Sequence, residues 1–176
     1  MRPDLELRAD QAVSRALASA KRKVVYDCGF GGRDPRAAGP EDGEGKCDCS
    51  GADSYWLGRD RYRGTRFPGG WYETSAIVHD ATQEHMDFQK VSTARPGDVI
   101  VYGDYRDARG KHHEGHCGMV ITVTQKGLPK TVAHCCAREG LKSAIIVEAF
   151  SVFWEGAVKS RGAIIARPLF LKPAVG

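Results

Sequence analysis

Cys49 stands in the run Asp48-Cys49-Ser50-Gly51, ahead of a segment whose Ala52, Tyr55 and Trp56 fall on neighbouring turns of a helix. A thiol attacks as its thiolate, and a helix N-terminus, a cation or a paired histidine lowers the free value of about 8.5. The spacing puts Cys49 at such an N-terminus, with small Gly51 leaving room for a substrate. The helix-end N–H groups, that of Cys49 included, are placed to receive an oxyanion. A base has to come from a distant segment. His116 opens the run His116-Cys117-Gly118-Met119-Val120-Ile121, which reads as a strand, and His134 lies in Thr131-Val132-Ala133-His134 on the next one. The constellation is Cys-His-His: Cys49 as nucleophile, His116 as base and later acid, His134 as the residue that orients it.

The elements that must position these groups are legible as two kinds of pattern. Residues 8–22 carry Ala12, Val13, Ala16, Leu17 and Ala20 at helical spacing, and residues 49–57 form a second, shorter helix. Gly31 to Gly45, rich in Gly, Pro and charge, is a loop inside the domain. Beyond it, strand-length β-branched segments recur at Asp98 to Tyr102, Cys117 to Thr124, Lys130 to Cys135, Ala144 to Phe150 and Gly162 to Arg167. Their connections are short and turn-like, which favours an antiparallel sheet. Helices first and strands later predict an α+β fold.

At 176 residues the chain is one domain's worth, read as a single catalytic domain over 1–176 with a core of about 8–168. The formal charge of +4 permits an anionic partner without selecting one. Asp4, Glu6, Arg8 and Asp10 interrupt the segment where a secretory signal would need an apolar core, and Glu148 breaks the best apolar run. The chain is therefore expected to be made in the cytoplasm, without membrane insertion. In that reducing setting the six cysteines pose a question of thiol chemistry or metal ligation rather than of disulfides.

The order of motifs resembles the NlpC-type cell-wall cysteine peptidases, a papain-like α+β family that cleaves peptidoglycan stem peptides. The shared features are Tyr26, Gly31-Gly32, Asp48-Cys49-Ser50-Gly51, Arg95-Pro96-Gly97-Asp98, His116-Cys117-Gly118 and His134, in that order. The resemblance implies a papain-like fold with N-terminal helices packed on a mainly antiparallel sheet. It also implies the catalytic roles already given to Cys49, His116 and His134. Tyr26 and Asp48 would lie beside the nucleophile, and Ser50 would help bind a stem-peptide terminus. Peptidoglycan is the implied partner, with no cofactor, no metal and no nucleic acid, and the protein is expected to be a monomer. The bond implied first joins D-glutamate to the diamino acid; the second choice is the amide between glycan and stem. A phage lysin that reaches the wall after release fits these features, as does an injected effector toxin. The family's fold also includes acyltransferases acting on lipids or small amides.

Other residues carry plainer expectations. Cys28, Cys135 and Cys136 read as packing residues. Cys47 and Cys117, adjacent to the site, admit packing, a redox partnership with Cys49 or metal ligation, with packing preferred. A zinc-stabilised binding module is the rival from another class, with ligands drawn from Cys47, Cys49, His116, Cys117, His134, Cys135 and Cys136. His79, His85, His112 and His113 read as surface or turn residues. The run Arg59, Arg61, Arg63 and Arg66 reads as a solvated, partly structural surface, and Trp71, Phe153 and Trp154 as core or groove wall.

Overall fold

Small residues set the first helix pair. Helix α1 (Ala9–Ser19) buries Ala12, Ala16 and Ser19, and so lets helix α2 (Cys49–Trp56) approach closely. The Trp56 indole N–H donates to Ser19 Oγ at 3.0 Å. Arg15 donates to the carbonyls of Tyr55 and Pro35, its guanidinium 3.9 Å from the centre of the Tyr55 ring. A cation over the last turn of α2 complements that helix's dipole. The computed structural model describes residues 4–62 and 72–174, so Arg63, Arg66 and Trp71 lie outside the described residues.

Strands β1 (Val25–Tyr26) and β2 (Lys46–Cys47) pair in parallel, with Tyr26 opposite Cys47. The main sheet contains β3 (Phe88–Val91), β4 (Val99–Tyr102), β7 (His116–Val123), β8 (Pro129–Cys135), β9 (Ile145–Ala149) and β10 (Ile164–Pro168). A small hairpin of β5 (Tyr105–Arg106) and β6 (His112–His113) interrupts the series. The strand order is β3-β10-β4-β7-β8-β9, antiparallel at every pairing. The architecture is α+β with a mainly antiparallel sheet.

Period-two alternation gives the sheet two apolar faces. Val99, Val101, Cys117, Met119, Ala133 and Cys135 face α1 and α2, while Ile100, Tyr102 and Val132 pack with Trp154 and Ala157 of helix α4 (Trp154–Arg161). The expectation of helices first and strands later needs correction here. Helix α3 (Thr74–His79), running into a π-helical turn at Asp80–Glu84, and α4 both lie among the strands. Helix α3 is started by Glu73, whose carboxylate accepts from the N–H groups of Ser75 and Ala76. Helix α4 is eight residues long and buries only Trp154 and Ala157, so it leaves little periodic trace in the sequence. Among the described residues no helix is long and apolar enough to cross a membrane.

The loop before α2 presses backbone to backbone on its first turn. A Cβ added to Gly51 would stand 2.5 Å from the Phe30 carbonyl oxygen, and one on Gly32, at φ +71°, would stand 2.4 Å from the Gly51 carbonyl. Both glycines are required by this close approach. Gly51→Ala is therefore expected to lower the unfolding free energy by about 2 kcal/mol through overpacking. Alanine's helix propensity alone, better by about 1 kcal/mol, predicts the opposite sign. Urea denaturation of the two proteins separates the outcomes.

Candidate active site

Helix α2 begins at Cys49, the candidate nucleophile. Asp48 is its N-cap, with Oδ1 accepting from the Gly51 N–H at 2.7 Å and from the Ser50 hydroxyl at 3.2 Å. Its Oδ2 accepts from the Gly29 N–H and from Arg61 Nη2, each at 2.7 Å. The same Nη2 donates to Ser50 Oγ at 2.9 Å, and Arg61 Nη1 donates to the Phe30 carbonyl. Asp48 and Ser50 are 3% and 4% exposed, so both stand here as positioning groups, their polar atoms committed to internal partners. The Ala52 N–H bonds the Asp48 carbonyl, which leaves the Cys49 and Ser50 N–H groups at the helix end without a described protein acceptor.

Cys49 is 6% exposed and its thiol is held well below the usual value. The largest cause is a hydrogen bond from the Cys117 thiol; burial opposes it, and His116 adds a favourable charge and a further hydrogen bond. The pair is asymmetric. Burial, the bond to Cys49 and the nearby Asp53 carboxyl push Cys117 well up, so Cys117 keeps its proton and donates it. Cys117, for which packing is the preferred expectation, is fully buried and is also coupled to the Cys49 thiol. Asp53, one turn beyond Cys49, is fully buried, and neither carboxylate oxygen accepts a well-formed hydrogen bond. Burial raises its pKa far more than the neighbouring Cys117 thiol lowers it, so the neutral acid is favoured.

Successive residues of β7 serve the two faces of the sheet: Cys117 packs on the α2 side while His116 stacks on Trp154, with ring centres 5.3 Å apart. The Nε2 of His116 lies 2.8 Å from Nδ1 of His134, and His134 Nε2 lies 3.0 Å from Oε1 of Glu148. Arg138 grips Glu148 with both Nη atoms, at 2.8 and 3.0 Å. This chain fixes the tautomers. Arg138 first, and His134 after it, keep Glu148 ionised and acceptor-only, so His134 Nε2 carries the hydrogen. Burial and the adjacent His116 lower His134 to about 4, so at neutral pH its Nδ1 is a lone pair and His116 Nε2 is the donor. The nitrogen of His116 left for Cys49 is Nδ1. His134, at 1% exposure, is further enclosed by Phe153 and Trp154.

The structure thus brings Cys49, His116 and His134 together. Strand pairing sets Tyr26 beside them: burial first, then Cys49 and Asp48, raise its pKa, so it remains a phenol able to donate. Tyr26 and His116 line a cleft of about 590 Å³ together with Tyr102, Glu114, Arg138 and Arg161. A larger groove of about 750 Å³, between α1 and the Arg95–Asp98 turn, lies away from these groups and holds none of them. Glu148 and Arg138 escaped the sequence reading. The available signal, for Glu148 alone, was a charged residue within an apolar strand, two residues beyond Ile146, the cross-strand partner of His134.

The remaining readings divide. All six cysteines are free thiols, and among the described residues no three His, Cys, Asp or Glu side chains converge to hold a metal. Cys135 is buried and donates to the Cys47 carbonyl at 3.3 Å. Cys28 departs from a packing role: it is exposed beside Glu114, and partial desolvation of its thiol, with that carboxylate, pushes it up to about 11. Arg61 is fully buried rather than solvated. His112 and His113 form strand β6 and meet Asp104 and Asp107, while His79 and His85 are exposed. In comparison with known proteins, no family model matches the chain and no curated protein matches it.

Two outcomes follow from the electrostatics. With iodoacetamide at pH 6, Cys49 is expected to alkylate faster than the other five thiols, and Cys117→Ala is expected to narrow that lead, read by mass spectrometry of tryptic peptides. For His134 the folded value of about 4 lies below its ordinary 6.5, so between these the unfolded chain binds more protons. Stability is therefore expected to fall as pH drops from 6.5 toward 4, with a shallower slope in His134→Gln, measured by urea denaturation at stepped pH.

Proposed function

We propose that this chain is a papain-like thiol hydrolase that cuts an amide bond in peptidoglycan stem peptides, in the manner of the NlpC-type peptidases its motifs resemble. The observation that carries the reading is the placement of Cys49 at a helix N-terminus, where His116 bears on its thiol, while His116 is itself held through a ring nitrogen by His134. A thiol activated by one partner, with that partner oriented by a third group, is the minimum apparatus for acyl transfer through a covalent intermediate.

In this mechanism the Cys49 thiolate adds to the scissile carbonyl. The oxyanion is received by the Cys49 and Ser50 N–H groups, with the Tyr26 hydroxyl as a further donor. His116 hands its Nδ1 proton to the leaving amine, the C–N bond breaks, and a thioester remains on Cys49. Water then attacks the thioester as His116 takes its proton, releasing the new carboxylic acid and restoring the thiol pair. His134 stays neutral throughout, since burial and the adjacent His116 hold its pKa down to about 4 against the opposing pull of Glu148, which accepts its Nε2 hydrogen. No step requires a cofactor.

The favoured bond is the one between D-glutamate and the diamino acid, and the favoured setting is a lysin that meets the wall after release. The zinc-module alternative requires converging donors, and among the described residues these are not assembled. Purified diaminopimelate-type peptidoglycan, digested by wild type and by Cys49→Ala, is the test. Mass spectrometry is expected to find fragments split within the stem, and the variant is expected to release them at least roughly 10³-fold more slowly. Stems freed whole from the glycan would establish an amidase instead. Folded wild type that releases nothing sinks the wall reading and turns attention to lipid and small-amide acyl substrates.

A further inference from the structure

We propose that Arg161 is the carboxylate anchor of the cleft, binding an acidic group that the substrate carries beside the scissile amide and thereby selecting acidic over amidated stem peptides. The inference rests on the hydrolase reading and adds to it a residue that sets specificity.

Two guanidinium groups line the cleft. Arg138 commits both Nη atoms to Glu148. Arg161 does not resemble it: Nη1 donates to the neutral Tyr102 hydroxyl at 2.6 Å, and among the described residues it has no carboxylate partner. It is nevertheless held in place. Its guanidinium carbon lies 5.1, 5.6 and 5.4 Å from the ring centres of Tyr102, Tyr105 and Phe153. A cation framed by three aromatic rings has already lost much of the side-chain freedom that binding would otherwise remove. Its Nε and Nη2 edge is left for a planar, two-pronged acceptor, the geometry of a carboxylate.

The same frame borders the histidine pair. Tyr102 lies directly across the β4–β7 pairing from His116. Phe153, against which Arg161 packs, has its ring centre 5.6 Å from that of His116. Arg161 and His116 thus share Tyr102 and Phe153 as neighbours, and on this proposal the anchored carboxylate belongs to a residue joined by the scissile amide. Two residues supply that chemistry: D-glutamate through its α-carboxylate, or the diamino acid through a free carboxylate of its own.

The experiment uses three synthetic stem tripeptides, identical except that one is fully acidic, one is amidated at the D-glutamate α-carboxylate and one is amidated at the diamino acid. Wild type is expected to prefer the acid over one of the two amides by about ten- to a hundredfold in kcat/KM, the effect of a charge-assisted bond. Whichever amide suffers identifies the carboxylate. In Arg161→Gln the acid-to-amide ratio is expected to fall toward one, and Tyr102→Phe is expected to reduce it partway. A merely structural Arg161 would slow all three peptides together and leave the ratio untouched, which overturns the proposal. So does wild type that cuts acid and amides alike, an outcome that leaves the hydrolase reading standing. Calorimetric binding of the same peptides to Cys49→Ala reads the preference without turnover. Loss of cleavage of every peptide by wild type therefore counts against the hydrolase reading alone, and equal binding of acid and amides counts against Arg161.

Discussion

The buried carboxylate of Asp48 is the constraint on which the rest of the site depends. It accepts from the first turn of α2, from the Gly29 backbone, from Ser50 and from Arg61, and so welds the helix end, the preceding loop and a distant cation into one block. A charge this deeply buried is tolerated only with such complete pairing, since an isolated carboxylate in a protein interior would neutralise or unfold its surroundings. Its proximity to Cys49 works against a thiolate, and the Arg61 guanidinium compensates the same negative charge. The tight backbone contact between Gly32 and Gly51 follows from this arrangement, because the loop cannot be drawn against the helix end with side chains in the way.

On the other side of the nucleophile, the chain from Arg138 through Glu148 and His134 to His116 works by direction rather than by charge. Each member decides which nitrogen of the next bears a hydrogen, and the burial that depresses His134 keeps it from becoming a second cation beside His116. Phe153 and Trp154 contribute by excluding water from the two rings. Cys117 and His116 belong to opposite faces of the sheet, so Cys49 is influenced by a thiol held in one layer of the core and by an imidazole packed on the other.

How much of this was legible in the sequence depends on whether the deciding signal is local. The α1 stripe, the Asp-Cys-Ser-Gly start of α2 and the β-branched runs are local patterns, and the elements they predicted lie within a few residues of the expected ends. Helix α4 and strand β3 are tertiary products. Helix α4 has two buried anchors on an otherwise polar surface, and β3 has one buried residue, Phe88, among polar neighbours. The candidate residues Cys49, His116 and His134 could be named because cysteine and histidine are scarce and chemically distinctive. Glu148 and Arg138 could not be, since a carboxylate in a strand looks like an interruption until the register sets it two residues beyond Ile146, the partner of His134. Asp48 was legible as a neighbour of the nucleophile, but its partner Arg61 was hidden in a run of arginines that reads as surface.

The position of β10 in the sheet bears on how the protein comes into being. In the strand order β3 meets the rest of the sheet through β10, which also flanks β4. Strands β4, β7, β8 and β9 can pair as neighbouring hairpins while the chain is still emerging, but the sheet closes only after residues 164–168 have left the ribosome and inserted between two strands made earlier. Helix α4, which carries Trp154 and Arg161 to the histidines and the cleft, directly precedes that strand. The aromatic cover of the base is therefore among the last parts to be made, and a nascent chain that already contains Cys49 and His116 does not yet contain the finished site.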